Sequence, residues 1–354
     1  MNIKTVCYFG IYDPGYNRNR VLMEGLKANG VSVIECNSRR LGIGKYFDLI
    51  RKHWRVRGRY DCIIVGFPGY QAAILARFLT AKPVIFDAFF SIYDSKVDDR
   101  KVLRKNSLKA RYYKLLDRLS CNLADRVLLD TEANIDYFVK DLGIPRKKFV
   151  KVLVGADPGM FYPRQGEKRE KFLLHFHGHF IPLQGAEYII RAAHLLKDRP
   201  VRFQVIGTGQ EYQRVRGLSA TLGLNNINWL DNVPYGQLPG YMAGADACLG
   251  IFGNTGKARR VIPNKIYEAA AMRKPVISGD SPAIREIFTD REDILLCKMA
   301  DPEDLAAKIV QLMNDDGLRE HVAQGGYETF QEHATPTLIA RNLLTGLGTI
   351  ESTF

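Results

Sequence analysis

Apolar residues along this chain fall into short continuous runs separated by stretches of helical spacing, rather than into long alternating strands. The first run, TVCYFG, leads into a Gly/Pro/Asn loop (IYDPGYNRNR) and then a helical pattern that stops at Asn29-Gly30. Further runs follow at VSVIEC, YDCIIVGF, KPVIFDAF and ADRVLLD, and FVKVLVG closes the series. A strand that is apolar at every position is covered on both faces, as in a parallel sheet between two layers of helices. A polar stretch, YPRQGEKREK (162–171), interrupts the pattern, which restarts with FLLHFHG, VRFQVIG, INWLDNV, ADACLGIFG and KPVISG. The order predicts two doubly wound α/β units in tandem, 1–163 with a helical return at about 335–354, and 164–334. Such sheets bind ligands beyond the carboxyl ends of their strands, and the cleft between the units is the expected site.

At 354 residues the chain is long enough for two cores, and 46% hydrophobic with 25% charged residues is the composition of an ordinary globular protein. No run approaches the roughly 18 apolar residues that span a bilayer, and MNIKTVCYFG lacks a secretory pattern. The expected location is cytoplasmic, with peripheral attachment at the inner face of the plasma membrane as an option. The six cysteines, Cys7, Cys36, Cys62, Cys121, Cys248 and Cys297, show no CxxC spacing and read as reduced core thiols.

Charge changes the picture more. Residues 1–163 hold 29 Lys+Arg against 16 Asp+Glu, whereas the remainder holds 22 of each, so the whole net charge of +13 belongs to the first half. A basic unit joined to a neutral one points to an anionic partner. Between Leu41 and Tyr60 the chain carries Lys45, Arg51, Lys52, Arg55, Arg57 and Arg59, beside an apolar stripe of Phe47, Ile50 and Trp54. A basic amphipathic helix with an interfacial Trp, here Arg51, Lys52, Trp54 and Arg55, suits an anionic membrane surface. The plainer expectation is that the stripe packs on its own sheet. No nucleic-acid partner is expected.

In VIGTGQE (205–211) a strand runs into Gly-x-Gly, which allows close approach of backbone to a phosphate or ribose. Tyr212 stands where a dinucleotide fingerprint needs a third glycine, which argues against a nicotinamide dehydrogenase. No His/Cys/Glu cluster has metal spacing, and Asp98-Asp99 and Asp315-Asp316 read as solvated helix ends or loops, so a metal-independent reaction is expected.

The segments FHGHFIPLQGAEYIIRAAHLL, VIGTGQE, NINWLDNVPYGQLPGYMAGADACL and PNKIYEAAAMRKPVISGDSPAIRE together resemble the family 4 glycosyltransferases, retaining enzymes of the GT-B fold. In the first half the resemblance rests on GADPGMFYP and the glycine-containing loop after the first strand. It implies an α/β GT-B protein that uses no cofactor, with a UDP- or GDP-linked nucleotide diphosphate sugar as co-substrate and a glycan or lipid-linked acceptor. It implies that Glu268 accepts hydrogen bonds from the ribose, that Val233 and Pro234 lie along the base, and that Gly207, Gly209, Asn264 and Lys265 line the donor site.

Three positions depart from the family pattern. Arg260 replaces a sugar-binding glutamate, and His179 and Gln184 replace an Arg and a Lys that face the diphosphate. The expectation is that positive charge has moved, with Lys257 and Arg260, helped by the backbone at Val261 and Ile262, stabilising the leaving diphosphate while Arg259 faces solvent. On the acceptor side the resemblance leaves Asp87 as the candidate for a sugar or acceptor contact, and Tyr12, Arg18 and Arg20 as cleft-facing. Two other classes fit the sequence: a non-catalytic sugar-nucleotide-binding protein, and a GT-B-like epimerase that would need acid/base groups such as His175 and His177.

Overall fold

The computed structural model describes residues 3–167 and 170–348, and it divides into two compact units, Met1–Gly155 with Ala334–Phe354, and Ala156–His333. The break thus falls before the polar stretch, and the C-terminal return begins at Ala334.

The first unit runs β1 (Thr5–Gly10), α1 (Asn17–Ala28), β2 (Ser32–Asn37), α2 (Gly44–Val56), β3 (Cys62–Val65), α3 (Tyr70–Leu79), β4 (Val84–Phe89), α4 (Leu108–Leu123), β5 (Arg126–Leu129), α5 (Glu132–Leu142) and β6 (Phe149–Lys151). The second runs β7 (Phe172–His177), α6 (Ala186–Leu195), β8 (Val201–Ile206), α7 (Tyr212–Thr221), β9 (Ile227–Leu230), α8 (Leu238–Ala243), β10 (Ala247–Leu249), α9 (Asn264–Ala271), β11 (Val276–Gly279), β12 (Leu295–Cys297), α10 (Pro302–Asn314) and α11 (Asp316–Thr329). A final helix, α12 (Pro336–Gly348), belongs to the first unit.

Each unit is a six-stranded parallel sheet, ordered β2-β1-β3-β4-β5-β6 and β12-β11-β10-β7-β8-β9, with helices on both faces. The apolar runs are the strands, buried on both faces in the sheet interiors though not along the edge strands β2 and β9, and all six cysteines are free and buried. The three-residue β12 was not marked by the apolar pattern. Asp99, expected on a solvated end, is instead buried on a turn of π-helix, Asp94–Asp99.

One sheet face of the first unit packs Leu49, Ala73, Leu116 and Phe138, from α2 to α5. The other packs Val21 and Leu22 of α1 beside Ile339 and Leu343 of α12. Gly25 of α1 makes the second layer possible, because a Cβ there would lie 2.0 Å from the carbonyl oxygen of Pro336 and 2.9 Å from Ala340 Cβ. Gly217 of α7 is the reverse case, with nothing within 4 Å of the added carbon.

The same substitution should therefore have opposite signs at the two sites. Gly25→Ala gains helix propensity but meets backbone that cannot yield, and we expect a net loss of about 1–3 kcal/mol. Gly217→Ala should gain roughly 0.5–1 kcal/mol. Urea midpoints of the two variants check this, and a stabilised Gly25→Ala would refute the close helix crossing.

Candidate functional site

The carboxyl ends of β7 and β8 and the start of α9 meet within the second unit. β7 and β8 are paired in register, with His175 opposite Gln204 and His177 opposite Ile206. Both chains continue past the sheet through glycines: Gly178 N–H donates to Ile206 O, and Phe180 N–H to Thr208 O. Gly207 and Gly209 adopt φ of +129° and +154°, and a Cβ on either would strike the 178–180 backbone, at 2.0 Å from Gly178 O and 2.6 Å from Phe180 N. The close approach that these glycines permit is thus, in the first place, between two loops of the protein.

On this platform a chain of polar side chains crosses the core. Gln204 Nε2 lies 3.3 Å from Tyr241 O and 2.9 Å from His175 Nδ1. Only an N–H can face a carbonyl oxygen, so Gln204 donates to His175. His175 then carries its proton on Nε2 and donates to His177 Nδ1 at 2.9 Å, and His177 Nε2–H donates to Glu268 Oε2 at 2.9 Å. Glu268 Oε1 accepts from Tyr235 OH at 2.5 Å and Asn264 Nδ2 at 2.7 Å. Gln204, His175, His177 and Glu268 are all buried, Glu268 with no exposed surface.

Burial alone would push the Glu268 carboxyl up, but the hydrogen bonds from His177, Tyr235 and Asn264 outweigh it and hold it below its ordinary value. His175 is driven well below the usual imidazole value, first by burial and then by His177 and Lys265, so it stays neutral. Its two ring nitrogens and those of His177 are committed within the chain, which leaves neither imidazole poised for acid/base chemistry of the epimerase kind.

Lys265, one turn earlier on α9, is buried beside this carboxylate. Its Nζ donates to Gln184 Oε1 at 2.5 Å and stands 3.8 Å from the centre of the Phe176 ring. Burial lowers its pKa to about 7, partly offset by the pull of Glu268. A Cβ on Gly178 would lie 2.9 Å from the same ammonium, so this glycine makes room for it.

The cationic loop is a folded turn, with Arg260 N–H donating to Lys257 O at 2.9 Å. Ala258 anchors it against Leu183 and Ile251, and Val261 packs alongside. Lys257 and Ile262 are buried, Arg260 and Val261 half-buried, and Arg259 exposed as expected. The cation that reaches position 184, where the family pattern has a Lys and this chain a Gln, is however Lys265. His179 is exposed, and Val233 and Pro234 precede the single turn that carries Tyr235.

The first-unit candidates need correction. Asp87 and Arg18 are fully buried and bind each other, Nε at 3.0 Å and Nη2 at 2.8 Å, while Arg18 Nη1 donates to Val152 O and Leu153 O. The pair fastens α1 to β4 and to the segment after β6, so neither side chain is presented to a substrate. Tyr12 is also buried, its hydroxyl donating to Glu35 at 3.2 Å, and Arg20 is half-buried on α1 rather than in the loop. Among the described residues no group of three or more His, Cys, Asp or Glu side chains is placed to hold a metal ion.

Sequence reasoning missed Gln204 and Tyr235, and noted the two histidines only as sharing a strand face. The HFH alternation in β7 was the available signal; the register that sets Gln204 against His175 was not.

Removing His177 leaves a buried carboxylate short of one donor, and His177→Ala should cost about 1.5–3 kcal/mol, most of it absent when Glu268→Gln is already in place. Additive effects in that double-mutant cycle would show the two groups to be uncoupled. Lys265 gives a pH signature. Folded protein binds fewer protons than unfolded between about 7 and 10.5, so stability rises with pH across that window. His175 adds loss of stability as pH falls below 6.5. Denaturant midpoints of Lys265→Met should lack the alkaline rise and keep the acid loss; an unchanged alkaline slope would remove Lys265 as its source.

Residues 161–329 match the family model for glycosyl transferases group 1. An uncharacterized glycosyltransferase of Methanocaldococcus jannaschii is 24% identical over 64% of this chain and 60% of its own length. The putative colanic acid biosynthesis glycosyl transferase WcaI of Escherichia coli is 24% identical over 49% of this chain and 41% of its own, and the lipopolysaccharide core biosynthesis glycosyltransferase LpsD of Rhizobium meliloti is 25% identical over 44% and 43%. The matches therefore span about half the length of these curated relatives. Among solved structures, Anabaena HepE with UDP and glucose superposes at TM-score 0.72, 15% identity and 99% and 100% coverage, and sucrose-phosphate synthase of Thermosynechococcus elongatus at 0.74, 14%, and 98% and 99%. The second unit thus resembles the group 1 glycosyl transferases in sequence, and the twin six-stranded parallel sheets are the GT-B fold of these solved structures.

Proposed function

We propose that this protein moves a sugar, with retention and without a metal, from a UDP- or GDP-linked donor to a glycan or lipid-linked acceptor. The second unit is the donor half and the basic first unit the acceptor half. The observation that carries the proposal is the buried, ionised Glu268 at the strand ends, held by His177 from below while Tyr235 and Asn264 occupy its other oxygen. A carboxylate offers two acceptors to the vicinal hydroxyls of a ribose. Tyr235 sits on the loop next to Val233-Pro234, and in this account its hydroxyl holds the place a ribose hydroxyl takes when nucleotide binds. The names of WcaI and LpsD, and the UDP and UDP-glucose complexes of HepE, support the substrate class.

In retaining transfer of this kind the leaving phosphate helps deprotonate the acceptor, and the protein's task is to position and to stabilise charge. Lys265 is the first cation assigned to that task, because it occupies the surroundings of Gln184, with Lys257 and Arg260 on the adjoining loop as further suppliers. An anion brought close to a lysine whose pKa is about 7 raises it. Donor binding should then take up a proton near neutral pH.

A thermal-shift panel of nucleoside diphosphates and their sugars tests the donor site: one base should stabilise the protein, and Glu268→Gln should abolish the shift, whereas stabilisation by none would sink the assignment. Calorimetry of the nucleotide that binds, in buffers of different ionisation enthalpy above pH 7, should show proton uptake in the wild type and none in Lys265→Met. Equal uptake in both would move the charge-stabilising role away from Lys265.

A further inference from the structure

The amphipathic stretch singled out in the sequence leaves two of its three stripe residues facing outward, with Ile50 half-buried. On α2, Phe47 is 65% and Trp54 64% exposed, and Leu41 and Ile43 just before the helix are exposed as well; Leu49 and His53 face the core instead. A second helix does the same without any warning in the linear pattern. On α4, Leu108, Tyr112, Leu115 and Leu119, at i, i+4, i+7 and i+11, form one ridge along the solvent side, opposite the buried Ala110, Asp117 and Cys121. Leu108 is 83% exposed. Between the two lies α3, packed against both, with Phe78 78% exposed. Three neighbouring helices on one sheet face thus turn large apolar side chains outward, where a soluble surface ordinarily presents none in such number.

The exposed charge on the two flanking helices has one sign. Arg51, Arg55 and Arg57 flank the α2 ridge, and Lys109, Arg111 and Arg118 flank that of α4, all exposed. The only carboxylates on the two helices are Asp48 and Asp117, and both are buried. Asp48 pairs with Lys52 at 3.1 Å and with Arg51 at 3.3 Å, and Lys52 also donates to Asn37 O at 2.6 Å, so Lys52 is half-buried and tied inward while Arg51 stays exposed. Asp117 accepts from Ser91 and from Tyr93 N–H. Burying apolar ridges between rows of cations requires a partner that is apolar beneath an anionic layer. A second copy of this face would set cations against cations, and an acidic protein would leave the leucines unsatisfied.

We infer that the α2–α3–α4 face of the first unit docks on an anionic lipid bilayer, with the apolar ridges entering the headgroup boundary and the arginines and lysines on the lipid phosphates. Among the described residues no helix is long and apolar enough to cross a membrane, so this is attachment in the plane of the surface. The inference goes beyond the proposed sugar transfer. The donor site is in the other unit, and nucleotide binding is read separately from lipid binding.

Flotation of the full chain with vesicles of phosphatidylcholine, with and without phosphatidylglycerol, tests it. The protein should float with the anionic vesicles only, and should be released by salt. At roughly fivefold per basic residue, Arg111→Glu/Arg118→Glu should weaken binding more than about twentyfold. Leu115→Ser/Leu119→Ser should weaken it with little change in thermal midpoint, since both positions already face solvent. Failure to float with either vesicle, or binding that survives both double substitutions, would overturn the inference. So would a dimer in sedimentation velocity that the leucine substitutions dissociate, since the occupant would then be a second copy.

Discussion

A carboxylate with no exposed surface is the constraint around which the second unit is arranged. An ionised group in that position survives only if its charge is met by donors aimed at it, and Glu268 meets three. Each donor has its own condition. His177 faces Glu268 with a proton only because His175 supplies the proton on its other nitrogen, and His175 does so only because Gln204 is turned by Tyr241 O. The register of β7 on β8 sets this order, and the glycines at 178, 207 and 209 let the two strands stay together past the end of the sheet. Lys265 adds a cation to the same interior without pairing directly with the carboxylate, at the expense of much of its basicity.

The first unit holds its own buried charge by another route. Arg18 and Asp87 form a bidentate pair whose remaining donors are taken up by two backbone carbonyls. Breaking such a pair leaves an uncompensated charge, which makes it a specific fastening between α1, β4 and the strand-end segment after β6. Its residues resembled site residues in the sequence because a polar group at a strand end looks alike whether it serves a ligand or a neighbouring helix.

The architecture was legible in the sequence almost entirely, because two-sided burial writes the inner parallel strands as apolar runs, the edge strands β2 and β9 still carry enough apolar residues to show, and only β12 was too short to register. Glu268, Asn264 and Lys265 were legible through the motif on α9. Gln204 and Tyr235 were not, since their roles depend on which strand lies beside which and on where a one-turn helix points. The 257–260 loop showed its charge in the sequence, but not that Lys265 would reach Gln184 from the helix that follows. The outward ridge of α4 was invisible for the opposite reason. Helical periodicity identifies an apolar stripe, and only packing tells whether the stripe faces in or out.

The central claim is that Glu268 is held ionised by its donors despite complete burial, and the most direct test is a titration of its side-chain carbonyl carbon by NMR in the full chain. The account predicts a midpoint below that of an ordinary glutamate, moving upward in His177→Ala. A midpoint above the ordinary value in the wild type would mean that burial prevails and that the carboxyl is neutral, which would contradict the account.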